Sequence, residues 1–192
     1  FEANTKIYSQ GELADYLYTL REGYIKLLHL NPDGSSRIVR LVMPGDLFGM
    51  EALLGEQYAH SATSLSNVYL CRIPKAIIAS LGEESPRLHR QIVKKWGGAL
   101  SQSESWFSEI NTGRIEVRLS RFFLRIAKAS GDMAVAPLFK REDMGLMMDV
   151  KFETISRALA SMAEQGLISN ISRLSLQIPS MKKLEEFSKQ GL

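Results

Sequence analysis

Only one cysteine, Cys71, and three histidines, His29, His60 and His89, occur among 192 residues. A lone thiol closes no internal disulfide and fits a reducing compartment. So few thiols and imidazoles also leave no self-contained Cys/His metal site. Long hydrophobic runs are missing, and none approaches the roughly 20 residues that a bilayer-spanning helix needs. No secretory signal opens the chain, so a cytoplasmic location away from any membrane is expected. The first residue is Phe1 rather than methionine, which leaves room for a preceding segment. There is no nucleophile–base motif, metal cluster or phosphate-binding loop, so the reading is not an enzyme. Proline is absent between Pro86 and Pro137, which permits long helices there.

The net charge of +3 is small but unevenly placed. Residues 1–112 carry 11 basic and 12 acidic side chains, residues 113–192 carry 13 and 9. A near-neutral first part and a basic second part place any polyanion on the C-terminal portion.

In the first 80 residues, "KIYSQ", "YLYTL", "GYIKLLHL", "SRIVRLVM" and "VYLCRI" are short and rich in β-branched and aromatic side chains. Arg21-Glu22-Gly23, Asn31-Pro32-Asp33-Gly34 and Pro44-Gly45-Asp46 separate them with turn chemistry. Strands of this length and spacing predict an antiparallel barrel or jelly roll.

After Pro86 the period becomes helical. Ile92, Trp96, Ala99, Ser103, Trp106 and Ile110 follow one another at intervals of 4, 3, 4, 3 and 4, the rhythm of a helix–helix seam between two copies of the chain. A helix packed on its own barrel is the competing explanation. Gly97-Gly98 interrupts the pattern, since each mid-helix glycine costs about 1 kcal/mol against alanine. Ile115, Leu119, Phe122, Phe123 and Ile126 then define an amphipathic helix over 114–130.

Beyond Gly131 a short helix is expected over 140–148, with Glu142 and Asp143 in its first turn. Asp149 is expected to cap a second helix that Gly166 ends. The run "LISNISRLSLQI" then alternates Leu174, Leu176 and Ile178 with polar residues, as in a half-buried hairpin. Helix, short turn, helix and hairpin is the order of a winged helix-turn-helix.

On the second helix, Ile155, Ala158, Leu159 and Met162 form an apolar stripe, while Glu153, Arg157, Ala160 and Glu164 point the other way with Ser156 at the border. A helix entering the major groove needs this division. Arginine can make two parallel bonds to guanine, and a carboxylate can accept from cytosine. The same i, i+4 spacing suits an exposed Glu153–Arg157 ion pair, and spacing alone does not separate the two. The preceding helix, the basic second half and the hairpin favour double-stranded DNA.

The segment "FETISRALASMAEQGLI" closely resembles the recognition helix of the Crp/Fnr family of bacterial transcription regulators. "PGDLFG", the β-rich first half, the long helix and the terminal winged helix resemble that family in the same order, over essentially the whole chain. The resemblance implies an α+β chain. A cyclic-nucleotide-binding-like jelly roll would occupy residues 1–85, a dimerisation helix 86–112 and a winged helix-turn-helix 113–192. It also implies a homodimer on a near-palindromic site, with RNA polymerase as partner if the protein activates. Glu153, Ser156 and Arg157 match the Fnr-type Glu-x-x-Ser-Arg, which implies TTGAT-like half-sites. Phe152 stands where the Crp branch has arginine, and Ser156 where it has glycine. By this resemblance Glu153 and Arg157 contact bases and Ser156 discriminates one position. Arg141, Lys151, Thr154 and Arg173 are candidates for phosphate contacts. A sensory or scaffold module that binds a ligand without reading DNA is the competing function.

The cyclic-nucleotide pockets of this family resemble Gly-Glu-Leu followed by Arg-Ser/Thr-Ala. Here "FGMEALLGEQYAHSA" keeps Gly49, Ser61 and Ala62 but places Met50 where the glutamate belongs and His60 where the arginine belongs. Glu51 comes one position late. Methionine cannot accept from ribose hydroxyls, and histidine is mostly neutral at pH 7. An effector other than cyclic AMP is therefore expected, with His60 read as a surface or loop residue. In "YLCRIP", Cys71 occupies the place of the fourth cluster ligand of Fnr-type iron–sulfur regulators. A cubane cluster needs four cysteines, so the cofactor stays unknown, and a cluster requires a cysteine-rich segment ahead of Phe1. Otherwise Cys71 is read as a small, buried apolar residue.

Overall fold

The β-rich half forms two sheets because its apolar residues alternate and its turn residues close short hairpins. We describe residues 1–77, 80 and 86–190 of a computed structural model. The expected domain end at residue 85 lies outside them. Two compact units emerge, Phe1–Glu104 and Ser105–Leu192, so the division falls within the long helix.

In the first unit, strands β1 (Lys6–Tyr8), β3 (Ile25–Leu30), β4 (Ser36–Val42) and β6 (Ser61–Ser64) form an antiparallel sheet in the order β1-β6-β3-β4. Strands β2 (Tyr16–Glu22), β5 (Leu47–Phe48) and β7 (Tyr69–Pro74) form the other sheet in the order β5-β2-β7. The turn before β4 is held by Asp33, whose carboxylate accepts from the Ser35 amide at 2.9 Å. The core is aromatic. Tyr8 stacks on Tyr58 with centroids 3.7 Å apart, and Tyr18 lies 5.1 Å from Phe48. The Tyr58 hydroxyl donates to the Tyr16 carbonyl at 2.8 Å and accepts from its amide at 3.2 Å.

Strands β5 and β6 have no counterpart in the sequence reading. "SATS" carries no bulky apolar side chain, and it becomes a strand because β1 and β3 pair with it from both sides.

Helix α1 spans Pro86–Ile110. Among the described residues its exposed large apolar side chains are Val93, Trp96 and Leu100, of which Trp96 belongs to the expected seam. Ile92, Ala99 and Ser103 are half-buried. Trp106 and Ile110 lie toward the C-terminal end of α1. Both are buried in the second unit, Trp106 edge-on to Phe122 at 5.8 Å. Of the six residues in the a/d rhythm, Trp106 and Ile110 thus pack within the chain and Trp96 is exposed.

In the second unit, helix α2 covers Ile115–Ile126. It stops short of the expected residue 130 because Lys128–Ser130 is strand β8, paired with β9 (Met133–Pro137) around Gly131. The "LISNISRLSLQI" segment does fold back on itself, with an antiparallel bridge between Ser169 and Gln177, but its first arm is no more than that bridge. Only Ser175–Ile178 (β10) is a strand, and it pairs with β9. Leu176 and Ile178 are buried as expected, but Leu174 is 76% exposed at the loop.

Helices α3 (Arg141–Met148) and α4 (Phe152–Glu164) follow. Asp149 does not cap α4. Its backbone is left-handed, φ 52° and ψ 46°, and it closes the C-terminus of α3, whereas an N-capping residue adopts extended geometry. That position belongs to Lys151, and no side chain caps the helix start. A final helix, α5 (Met181–Ser188), was not anticipated; the Ser180 hydroxyl caps it by accepting from the Lys183 amide at 3.2 Å.

Candidate nucleic-acid interface and sensory cavity

Helix α4 is amphipathic in the sense the sequence predicts. Ile155, Ala158, Leu159 and Met162 are buried, while Glu153, Ser156, Arg157, Ala160 and Glu164 are exposed. Among the described residues no ion pair joins Glu153 to Arg157, so the competing explanation of their spacing loses its contact. The Ser156 hydroxyl donates back to the Phe152 carbonyl at 3.1 Å. Phe152 itself is 48% exposed at the helix start. Of the four phosphate-contact candidates, Lys151 and Arg173 are exposed, and Thr154 and Arg141 are half-buried.

The tight turn into α4 depends on Gly145. A Cβ there would sit 2.6 Å from the Val150 carbonyl oxygen, and the Val150 amide donates to the Gly145 carbonyl at 3.1 Å. Only a residue without a side chain lets the turn fold back this closely. Arg118 on α2 ties the same turn to the end of the long helix. Its guanidinium donates to the Ile110 carbonyl at 2.5 Å and to the Met148 carbonyl. One side chain therefore satisfies the C-terminal carbonyls of both α1 and α3, groups that helix ends leave unpaired.

In the first unit, a cavity of about 440 Å³ is lined by Tyr8, Arg40, Gly49, Met50, Glu51 and His60, among others, with Trp96, Ala99, Leu100 and Ser103 from α1. Gly49 has φ 71°, and a Cβ on it would come within 3.1 Å of Tyr16, Tyr18 and Tyr58. Arg40 donates to the Leu47 carbonyl at 3.1 Å and lies 3.7 Å from Asp46. Burial works against its charge, and Asp46 supports it. Glu51 uses one carboxylate oxygen to accept from the Ala59 amide at 3.1 Å. Burial pushes the His60 pKa down, with Glu51 opposing and His29 adding to the shift; the two imidazoles meet edge to face at 5.6 Å.

The first unit matches the family of cyclic nucleotide-binding domains over residues 1–85, and residues 117–187 match the Crp-like helix-turn-helix domain. Over 165 residues the chain is 30% identical to the transcriptional regulator LdrP of Thermus thermophilus, covering 85% of this chain and 77% of that one. It is 26% identical over 175 residues to the nitrogen fixation regulation protein FixK of Azorhizobium caulinodans, covering 88% and 70%. The chain belongs to the Crp/Fnr family of transcription regulators. Among solved structures, FixK2 of Bradyrhizobium japonicum superposes with a TM-score of 0.84 at 21% identity, covering 100% of this chain and 96% of that one. The regulator TTHB099 of Thermus thermophilus superposes with a TM-score of 0.83 at 23% identity, covering 100% and 97%.

This Crp/Fnr chain is thus a DNA-binding transcription regulator with a cyclic-nucleotide-binding-like jelly roll and a winged helix-turn-helix. Its cavity gathers Gly49, Met50, Glu51 and His60 but leaves out Ser61 and Ala62. The Ser61 hydroxyl accepts from the Gln10 amide at 2.9 Å, and Ala62 is wholly buried in the barrel core. His60 is half-buried at the cavity rather than on a surface loop. Ala99 and Ser103, read as seam, line the cavity. Tyr8 and Arg40 were missed. Arg37 and Arg40 are three apart and fall on opposite faces of β4, but a register shift leaves Val39 without a partner between Ile38 and Arg40, and the alternation of "SRIVRLV" alone does not say which arginine faces the cavity. Cys71 is half-buried on β7 opposite Thr19. One thiolate does not hold a cubane cluster, and no group of three or more metal-ligating side chains gathers among the described residues.

Proposed function

We propose that this regulator acts as a cytoplasmic homodimer that reads a near-palindromic, TTGAT-like DNA site and answers to a signal other than cyclic AMP. The outward face of α4 carries the reading: Glu153, Ser156 and Arg157 are exposed together over a wholly buried apolar stripe. Arg157 and Glu153 take the base edges, Ser156 discriminates one position, and Arg141, Lys151, Thr154 and Arg173 address phosphates. An activating protein of this kind contacts RNA polymerase as well. The exposed stripe Val93, Trp96 and Leu100 supplies a face for the second copy.

The reading against cyclic AMP rests on charge. His60, held neutral by burial, stands where a phosphate-binding arginine is expected, and the cation that does line the cavity, Arg40, already faces Asp46. A buried phosphate needs an uncommitted counter-charge.

Titrating a TTGAT palindrome with protein over a series of salt concentrations tests the first part. Specific binding with log K falling steeply against log salt is expected. Arg157→Ala should weaken it by roughly 1–3 kcal/mol and relax selectivity at one base pair. Equal binding by variant and parent refutes the assignment, and no binding to any duplex would favour a module that does not read DNA. Millimolar cyclic AMP should change neither DNA affinity nor thermal stability.

A further inference from the structure

Helix α5 lies outside the helix-turn-helix and the paired strands, yet it is fastened along its whole length within the second unit. Its start is held by Asp132 in the β8–β9 turn. The Met181 amide donates to the Asp132 carbonyl at 2.7 Å, and the Lys182 amide and Ser180 hydroxyl donate to the Asp132 carboxylate at 3.3 and 2.8 Å. Its middle buries Leu184 completely. Its end is closed by Arg121 of α2, whose Nε donates to the Ser188 carbonyl at 3.0 Å. These anchors leave α5 little freedom to slide or roll.

From this fixed helix Lys183 reaches the recognition helix. Its ammonium donates to the carbonyl of Gln165, the C-cap of α4, at 2.8 Å. A helix end leaves carbonyls unpaired and carries partial negative charge, which a cation offsets. Helix α4 has no basic residue in its last turn, and Glu164 stands there instead. The cation comes from α5. The same arrangement recurs at α3, which also lacks a basic residue in its last turn and receives Arg118 of α2 at the Met148 carbonyl. Both helices of the motif thus end on a cation borrowed from a neighbouring helix.

We propose that α5 is a brace for the recognition helix, and that Lys183 is the positioning residue through which it raises specific DNA affinity without touching DNA. The inference rests on the reading that α4 enters the major groove. A recognition helix that tilts moves its side chains off the base edges, and those bonds depend steeply on distance and angle. Phosphate contacts position the protein and carry no sequence information, so they survive such a tilt better. Loss of the tie should therefore lower specific affinity and spare non-specific affinity.

The test uses the full chain, a duplex that the protein itself selects from a random library, and a scrambled duplex of equal length. All titrations run well below the melting temperature of each variant. Lys183→Met keeps an aliphatic stem and removes the ammonium. It should bind the selected site about three- to fivefold more weakly, the scale of one helix-end cation. Its binding to the scrambled duplex and its slope of log K against log salt should stay those of the parent. Lys183→Arg should restore most of the loss, since a guanidinium keeps the charge and the donors. Lys182→Met removes the same charge from the neighbouring exposed side chain and should match the parent on both duplexes. Parent-like binding of the selected site by Lys183→Met, even with a lowered melting temperature, overturns the proposal. So does a parallel loss on both duplexes with a salt slope shallower by about one, which makes Lys183 a phosphate contact. An equal loss in Lys182→Met overturns it too. Each of these outcomes leaves the major-groove reading standing as long as Arg157→Ala weakens binding. If no duplex is selected, or if Arg157→Ala binds the selected site like the parent, that reading falls and this proposal with it.

Discussion

At the scale of single residues, the informative side chains are those whose surroundings contradict their type. His60 is basic by nature yet lies half-buried, and burial pushes its pKa below the ordinary 6.5. The sign follows from linkage. Between the folded and unfolded pKa values the unfolded chain binds more protons, so stability is full above about pH 6.5 and falls as pH drops toward the folded value. His60→Gln should flatten this acid-side slope, so the difference in melting temperature between pH 7.5 and pH 5.5 shrinks relative to the parent. An identical difference would show that His60 does not titrate with folding. Tyr58 makes a separate case, because its hydroxyl both donates to and accepts from the backbone of Tyr16 while its ring stacks on Tyr8. Tyr58→Phe keeps the ring and removes both bonds, leaving the Tyr16 amide and carbonyl without that partner. A loss of roughly 1–3 kcal/mol is expected by denaturant titration, with the slope unchanged.

At the scale of elements, helix-turn-helix geometry is set by backbone constraints that the sequence states only partly. The apolar stripe of α4 was legible because a 3.6-residue period survives any arrangement of neighbours. The cap was not, since aspartate suits both an N-cap and a left-handed C-cap, and only the turn at Gly145 decides which Asp149 becomes. Strands β6 and β8 were illegible for a related reason: "SATS" and "KAS" have no strand signal of their own and are recruited by pairing. For the same reason the cavity of the first unit was legible only along one contiguous stretch, while Tyr8 and Arg40 reach it from separate strands. The uncapped start of α4 makes a prediction in two directions. Lys151→Ser introduces a capping hydroxyl and should raise stability by about 0.5–1 kcal/mol. It removes a phosphate-contact candidate at the same time, so DNA affinity should fall across all sequences and the salt slope should drop by about one. Higher melting temperature with undiminished DNA binding would remove Lys151 from the interface. Gly145→Ala, by contrast, forces a Cβ against the Val150 carbonyl and should destabilise the second unit by several kcal/mol.

At the scale of the whole molecule, the long helix has two adjoining faces with different obligations. Ala99 and Ser103 line the cavity of the first unit, while Val93, Trp96 and Leu100 leave an apolar stripe exposed, with Trp96 and Leu100 also reaching the cavity. A contiguous exposed apolar stripe on a helix is the form that a partner helix covers. Cavity and stripe share Trp96 and Leu100. At its far end the helix buries Trp106 and Ile110 and is tied by Arg118 to the turn before the recognition helix. The exposed stripe of Val93, Trp96 and Leu100 is the face proposed for the second copy. Leu100→Glu tests it, because the residue is 58% exposed within its own chain and its replacement should leave the fold of each unit intact. Sedimentation velocity should show a monomer where the parent sediments as a dimer, with a charge now facing its own copy across an apolar seam. Affinity for the full palindrome should fall by orders of magnitude while weak half-site binding persists, since two linked sites gain from effective concentration and one does not. A variant that stays dimeric and binds the palindrome unchanged would place the subunit contact elsewhere on the chain.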